Sequence, residues 1–422
     1  MALLDELKTN ERARIQEPKL LIVPPAGWPI PAPEVFSGLA GEFVQAIAPY
    51  TEADPMAQMV QTLAGFGNMV GPKPHCKVEF TKHSGRLNAV LVGTTSKGRK
   101  GVSWSTPKHV LSQVDPTWAR RITSGLSSGE GLIYNVRDAD PTKKPPDRGV
   151  ADKRLFVVEE EFAQALKMIR REGNVLSPTI RDAWDHGNLH PLTKNFPITA
   201  TDAHISIGGH ITRDELLRSL NETEQGNGFA NRFLWLAVRR SKIIPNPTGV
   251  PVDVVEHYVR QFSKAFYFAK GLGEVKRNTE AEALWAQVYP ALSDEKPGLL
   301  GAVLNRGEAQ VLRLSLCYAI LDCASEINPS HLKAALAMWD FVEASARWIF
   351  GNRLGDPTAD RIMTALRQRS EMDETNIRDV FQKNVAGAEI DRALDLIQHL
   401  GLAKPSPQAT GGRPRIVWRL TT

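Results

Sequence analysis

The sequence predicts an α/β protein with a parallel-sheet core, a helical region behind it and a small mixed unit at the C-terminal end. Three observations carry this expectation. Short apolar runs break into glycine-rich or acidic loops, apolar residues recur at three- and four-residue spacing after Pro247, and the last part switches from helical to extended patterning.

The first sixteen residues read as a short helix or an arm, and the Pro-rich stretch from Pro24 to Pro33 cannot join a sheet. From Phe36 to Met69 the apolar spacing predicts two helices packed on the sheet, separated by the polar turn from Thr51 to Pro55. Residues 77–91 predict strands leading into the run from Leu87 to Ser105, LNAVLVGTTSKGRKGVSWS. There an apolar segment breaks into a Gly- and Lys-rich loop and then a helix, the construction of a phosphate cradle. Backbone N–H groups, a helix N-terminus and a Lys converge on one anion. Gly93 and Gly98 keep the spacing of G-x-x-x-x-G-K-[ST], but Arg99 stands at the Lys position, Lys100 follows, and the nearest later hydroxyl is Ser103. The expected nucleotide contacts are Gly93, Thr94, Thr95, Ser96, Lys97, Gly98, Arg99, Lys100, Gly101 and Ser103. Lys100 ranks first and Lys97 second for the β/γ-phosphates, with Ser103 as a magnesium ligand. The competing reading is a solvated basic turn.

An ATPase also needs acids at the end of a neighbouring strand. Arg154 to Phe162 reads as a short buried strand ending in Glu159, Glu160 and Glu161. By order Glu159 takes the metal and water role and Glu160 the general-base role, with a one-residue slip open. Glu130, after Ser127-Ser128-Gly129, is a second candidate base, although helix capping alone accounts for it. Ile205 to Gly208 reads as another buried strand. It is followed by His210 and Thr212, placed to sense a γ-phosphate, and by a helix starting near Asp214. Arg232 opens an apolar strand, where an Arg can reach the triphosphate of a neighbouring subunit. The alternatives are a satisfied core histidine for His210 and a structural salt bridge for Arg232.

Helices are expected over 252–270, 279–293, 306–324 and 329–350. After Gly355-Asp-Pro357 come three helical patterns, then two strand patterns around a Gly-Gly turn, which together predict a winged helix. Its third helix carries Glu389, Asp391 and Asp395 against Arg392, so DNA contact is expected through the wing, at Lys404, Arg413, Arg415 and Arg419. A protein-docking unit is the competing reading. The polar stretch 138–153 predicts a surface loop that could touch DNA through Lys143, Lys144 and Arg148.

A chain of 422 residues with 42% hydrophobic content can bury a large core. Its net charge of +5 permits a polyanionic partner. Three cysteines and no zinc-type spacing exclude a disulfide framework or a sequence-legible zinc site. No apolar stretch approaches a membrane span and no cleavable signal pattern is present, so a cytoplasmic protein without membrane contact is expected.

The order GTTSKGRKGVSW, GLSSGEGLI, VVEEEF, GGHIT and GFANRFLW resembles the helicase-like P-loop ATPases of plasmid, phage and integrated-element replication proteins. These are often fused to a primase-polymerase and often known only as a domain of unknown function. The segment from Arg306 to Ser315, followed by SEINPSHLKAALAMWDFV, is similar to the helical lid of minichromosome-maintenance-type AAA+ helicases. The resemblance implies an arginine finger at Arg232, a lid arginine at Arg313, ATP with Mg2+ as cofactors, and a homo-oligomeric ring, expected to be a hexamer. It departs from the family in its phosphate loop and in having Glu as the first acid.

The expected organisation is therefore an N-terminal arm and Pro-rich linker (1–35), a RecA-like or AAA+ P-loop NTPase core (36–247), a helical lid (248–354) and a winged-helix domain (355–422). The expected function is that of an ATP-dependent DNA helicase or translocase in replication of a mobile element. A replication initiator or loader, and a nucleotide-binding DNA scaffold, are the alternatives. The arm is too short for a primase domain, so priming is expected from a separate chain.

Overall fold

The computed structural model describes residues 27–95, 99–191, 198–220, 227–294, 298–351, 354, 356–382, 384–409 and 415–421. Helices α1 (Gly38–Ile47) and α2 (Pro55–Val70) flank the expected polar turn, and Asp54 caps α2 by accepting from the Met56 amide at 2.9 Å. The predicted strand region divides in two. β1 (His75–Val78) and β2 (Thr81–Ser84) pair with each other as an antiparallel hairpin outside the main sheet, and β3 (Ala89–Gly93) enters the sheet and runs into the glycine-rich loop.

The main sheet is completed by β4 (Ile122–Thr123), β5 (Arg154–Glu159), β6 (His204–Thr212) and β7 (Leu234–Ala237). Its order is β4-β5-β6-β3-β7, with every neighbouring pair parallel. The strands read as continuous apolar runs because both faces are covered. Helix α3 (Val102–Val114) follows β3, α4 (Pro116–Ala119) and α5 (Gly129–Tyr134) flank β4, α6 (Phe162–Ile169) and α7 (Leu176–Asp185) follow β5, and α8 (Arg213–Ser219) follows β6.

Alternation along β6 assigns the faces. A Cβ on Gly209 would meet the Phe162 ring of α6 at 2.7 Å, whereas the next residue, His210, bonds to Gln61 of α2. Since α3 packs on α2 and α8 packs on α6, the helices leaving the adjacent strands β3 and β6 lie on opposite faces. This reversal opens a crevice at the C-terminal edge beside β3, the usual ligand position in such sheets.

Behind the sheet stand α9 (Val252–Gly271), α10 (Thr279–Leu292), α11 (Gly298–Leu304), α12 (Gly307–Leu321) and α13 (Pro329–Phe350). Four follow the predicted helices closely, and α11 was not legible. Short parallel strands β8 (Lys276–Arg277) and β9 (Glu326–Ile327) pair beside them. One continuous hydrophobic core runs from Val35 to Phe350, so these helices share the interior of the sheet. A second cluster, from Ala359 to Trp418, belongs to α14 (Pro357–Arg369), α15 (Glu374–Val380) and α16 (Gly387–His399) with β10 (Glu371–Asp373), β11 (Ala403–Gln408) and β12 (Arg415–Leu420). Its sheet order is β10-β12-β11. The Gly-Gly turn expected between its last two strands lies outside the described residues. Among the described residues no helix is long and apolar enough to cross a membrane.

Helix α2 is buried from Met56 to Val70, polar residues included. Its small residues permit close approach: a Cβ on Gly67 would stand 2.3 Å from the Gly85 carbonyl oxygen, and one on Gly65 would stand 2.9 Å from the Trp104 ring. Asn68 ties the N-terminal edge of the sheet together. Its amide donates to the carbonyls of Leu155 at 3.1 Å and His204 at 2.9 Å, and its oxygen accepts from Trp118 Nε1 at 2.8 Å. Asn68→Ala is expected to lower unfolding free energy by about 2–4 kcal/mol, because it leaves a buried indole donor and two strand carbonyls without this partner. Urea denaturation of the variant beside the wild type measures this.

Candidate functional site

The C-terminal edge gathers the residues of the glycine-rich loop. Gly93 ends β3, Thr94 and Thr95 follow as exposed turn residues, and Gly101 precedes the first turn of α3. Ser96, Lys97 and Gly98 lie outside the described residues. Lys100 folds back over this turn. Its Nζ donates to the Thr95 carbonyl at 3.0 Å, and a Cβ added to Gly93 would meet that Nζ at 2.9 Å. Burial pulls the ammonium below its ordinary range, while the charge of Glu215 opposes the shift. A partly desolvated cation at the start of a helix is poised for an anion.

Arg99, in the left-handed region at φ 56°, turns the other way. Its Nε pairs with Glu52 Oε2 at 2.8 Å, and Glu52 also bonds to the Arg240 guanidinium and to the Ile244 amide at 2.7 Å. Burial works against the Glu52 charge, but bonds from Arg240 and Ile244 and the charges of Arg240 and Arg99 hold the carboxyl below its usual value. Arg99, expected as a nucleotide contact, is therefore engaged by a carboxylate, and this links the loop to the chain leaving β7.

Ser103 sits on the first turn of α3, fully buried. Its hydroxyl lies 2.8 Å from Gln61 Oε1 and 2.5 Å from the Lys100 carbonyl. Gln61 Nε2 is 3.0 Å from His210 Nε2, so with its oxygen accepting from Ser103 the amide donates to an unprotonated ring nitrogen. Desolvation, with the Lys100 charge, pushes His210 down to about 4 and keeps it neutral. The expected sensor His210 thus joins the loop through Gln61, a residue the sequence reading missed. The only signal for Gln61 is a polar residue inside an apolar helix. Thr212 is paired in register with Gly93 and caps α8 in a reciprocal box with Glu215.

Glu159 ends β5 in register with Gly209 of β6. Its Oε1 accepts from the amides of Gly125 at 2.5 Å and Leu126 at 2.8 Å, so the loop after β4 holds it. Ser103 and Glu159, the expected magnesium ligands, have different partners here. One hydroxyl and one carboxylate that uses a single oxygen still fit the few protein ligands magnesium takes beside phosphate and water. Glu160 is exposed at the same edge, and Glu161 precedes the first turn of α6. Glu130 is exposed on α5, which Ser128 caps by accepting from the Gly131 amide at 3.1 Å. The strand before it, β4, is an edge strand separated from β3 by β5 and β6.

Arg232 and Arg313 lie elsewhere, at the N-terminal edge. Arg232 is two residues ahead of β7 and pairs with Asp185 at 2.6 Å through Nη2 and 3.3 Å through Nε. Its Nη1 also bonds to the Gly228 carbonyl, and the side chain is only 7% exposed. Arg313 is fully buried, stacked 3.6 Å from the Trp184 ring centroid, and donates to the carbonyls of Arg86 at 3.0 Å and Trp184 at 2.8 Å. Desolvation pushes its pKa well below the ordinary guanidinium range. The expected finger and lid arginine are, in this structure, core residues with internal partners. The reason is a helix end, Trp184-Asp185, that carries the ring and the carboxylate between them.

The expected DNA contacts divide in the same way. Arg415 pairs with Asp373 at 3.2 Å, and Arg419 pairs with Glu371 at 2.7 Å. Lys143 lies 3.7 Å from Asp147, which Arg137 already engages at 2.7 Å. Lys144, Arg148 and Lys404 are exposed, while Arg413 lies outside the described residues. Among the described residues no three His, Cys, Asp or Glu side chains gather as a metal-binding group.

Arg232→Ala is expected to destabilise the folded chain by about 3 kcal/mol, the low end for breaking a buried pair because Asp185 is 30% exposed. Thermal unfolding checks it; a free arginine finger would leave the melting temperature unchanged. Stability should also fall on acidification. Desolvation pushes His204 down to about 3 and His83 and His210 to about 4, against an ordinary value of 6.5. Between about pH 6.5 and 4 the unfolded chain therefore binds protons that the folded one refuses. Burial pushes Asp54 up to about 6, which opposes this, because its stabilising proton is lost as pH rises through that value. Three imidazoles against one carboxyl give a net uptake of about two protons on unfolding at pH 5. Urea midpoints measured from pH 7 to 5 should decline.

No protein-family model matches the chain, and no curated protein matches it.

Proposed function

We propose that the chain is a P-loop ATPase, RecA-like or AAA+ in its core, that couples ATP turnover to movement on DNA in replication of a mobile element, as a helicase or translocase. The observation that carries this reading is Lys100 folded over Gly93 at the C-terminal edge, where helices from adjacent strands leave on opposite faces. Lys100 would exchange the Thr95 carbonyl for the β/γ-phosphates, and amides of the loop and of the first turn of α3 would complete the cradle. Magnesium, when bound with the nucleotide, would polarise its phosphates, with Ser103 and Glu159 as the residues that would hold it. Glu160, exposed at that edge, is the base that would orient and deprotonate water. His210, neutral, would report the state of Ser103 through Gln61.

The C-terminal unit is read as a winged helix, with three helices ahead of a hairpin. Its phosphate contacts would be Lys404, Arg413, Arg415 and Arg419, of which Arg415 and Arg419 would have to share their charge with Asp373 and Glu371. Assembly into a homo-oligomeric ring remains part of the reading, with a separate primase. A finger role for Arg232 would require its pair with Asp185 to open.

A second reading is an initiator, loader or DNA scaffold that binds nucleotide as a switch. It is favoured by one observation: Ser103 and Glu159 are held by different partners. Steady-state ATP hydrolysis with and without single-stranded DNA separates the two. Under the first reading DNA stimulates turnover, Lys100→Ala abolishes nucleotide binding, and Glu160→Gln binds ATP but loses at least about 100-fold in rate. Binding of ATP by the wild type with no turnover would establish the switch instead.

A further inference from the structure

The hairpin of β1 and β2 stands apart from the nucleotide site, and its tip is built against its own stability. The register pairs Lys77 directly with Lys82 and Val78 with Thr81, leaving Glu79 and Phe80 as a two-residue turn. Like charges placed directly opposite in an antiparallel pair destabilise it. Glu79 occupies the left-handed region at φ 51°, where such turns favour Gly or Asn. Phe80 is 95% exposed and contributes no burial.

The base of the hairpin, by contrast, is fixed. Cys76 and Ser84 are 4% and 2% exposed, the His75 amide donates to the Gly273 carbonyl at 3.1 Å, and Lys73 Nζ donates to the Lys270 carbonyl at 2.9 Å. An arm anchored at its base therefore presents an aromatic ring, with Lys77 Nζ 5.9 Å from its centroid and Lys82 across the strand pair. Tyr267, 70% exposed, lies one helical turn before Lys270 on the helix that anchors the arm. Local choices that oppose folding at the exposed end of an anchored arm mark function.

We propose that this tip binds single-stranded nucleic acid: Phe80 stacks on an unpaired base, and Lys77 and Lys82 contact the flanking phosphates. Stacking on an exposed ring flanked by cations is how strands are held without sequence readout. An anion between the two lysines also relieves their repulsion. Binding at this tip does not require nucleotide hydrolysis, so it stands or falls separately from the ATPase reading.

The test is fluorescence anisotropy of labelled oligo-dT and oligo-rU with the full chain, without nucleotide, at several salt concentrations. Phe80→Ala and Phe80→Leu should weaken binding by about 5- to 150-fold, and Phe80→Tyr should retain it. Lys77→Ala with Lys82→Ala should reduce the slope of log K against log salt by about 1.4. Binding of either strand with this pattern supports the proposal, and the tighter one identifies the strand type. Unchanged affinity and slope in these variants, or no binding by the wild type, overturns it. So does a change confined to oligomeric state in sedimentation, which would make the tip a contact with a second copy. ATP turnover measured on the same samples keeps the two readings apart: a Phe80 effect without turnover fails only the ATPase.

Discussion

Both edges of the sheet depend on one constraint: helix Pro55–Val70 is buried on all sides, so Gln61 and Asn68 must find their partners inside the protein, while the buried Gln58 amide has none among the described residues. An amphipathic helix would turn Gln61 and Asn68 to water. Here Asn68 satisfies two strand carbonyls and an indole at one edge, and Gln61 joins Ser103 to His210 at the other. Asp54, at the helix start, caps the first turn and accepts from the Arg239 amide at 2.9 Å, so the chain leaving β7 is held to the same element. The close approach at Gly65 and Gly67 places those groups within reach. Packing of this helix and the bonds of Gln61 form together, so a substitution at Gln61 acts on stability and on the glycine-rich loop together.

The two edges use positive charge differently. At the N-terminal edge Arg86, Arg232 and Arg313 spend their donors on main-chain carbonyls and on Asp185, and the Trp184 face covers the stacked guanidinium. Cations held in this way fix strand starts and helix ends. At the C-terminal edge Lys100 bonds, among the described residues, to the Thr95 main-chain carbonyl, and burial weakens its charged state. A loop carbonyl is a partner that a ligand can replace, whereas several well-aligned internal partners with a stacked ring suit a structural cation. That contrast, more than any motif match, separates Lys100 from Arg313.

The sequence was a good guide to elements and a weaker guide to partners. Apolar runs bounded by glycine and acids marked β3, β5 and β6, and three-four spacing marked the long helices through Phe350. Local periodicity is enough for these. It could not place β1 and β2 outside the sheet, because a strand pattern does not say which strand it meets. It could not place β4, the strand ahead of Glu130, at the far edge of the sheet. The salt-bridge reading of Arg232 is the one the structure matches, and the partner Asp185 is 47 residues away, beyond the range of any spacing argument. Gln61 was invisible because its role exists only once α2, α3 and β6 have packed.

The Glu52 bridge shows how the glycine-rich loop is restrained. Arg99 occupies the motif's lysine position, yet its guanidinium points to a carboxylate shared with Arg240, and the adjacent Lys100 is left over Gly93. Two consecutive cations cannot both enter one small anion cradle without mutual repulsion, and Glu52 removes one of them. Because Glu52 bonds both Arg99 and Arg240, any pull on Arg99 also acts on the chain after β7. A loop that departs from the common motif by one inserted residue therefore directs Arg99 away from Lys100, and it gains a mechanical connection to the edge of the sheet.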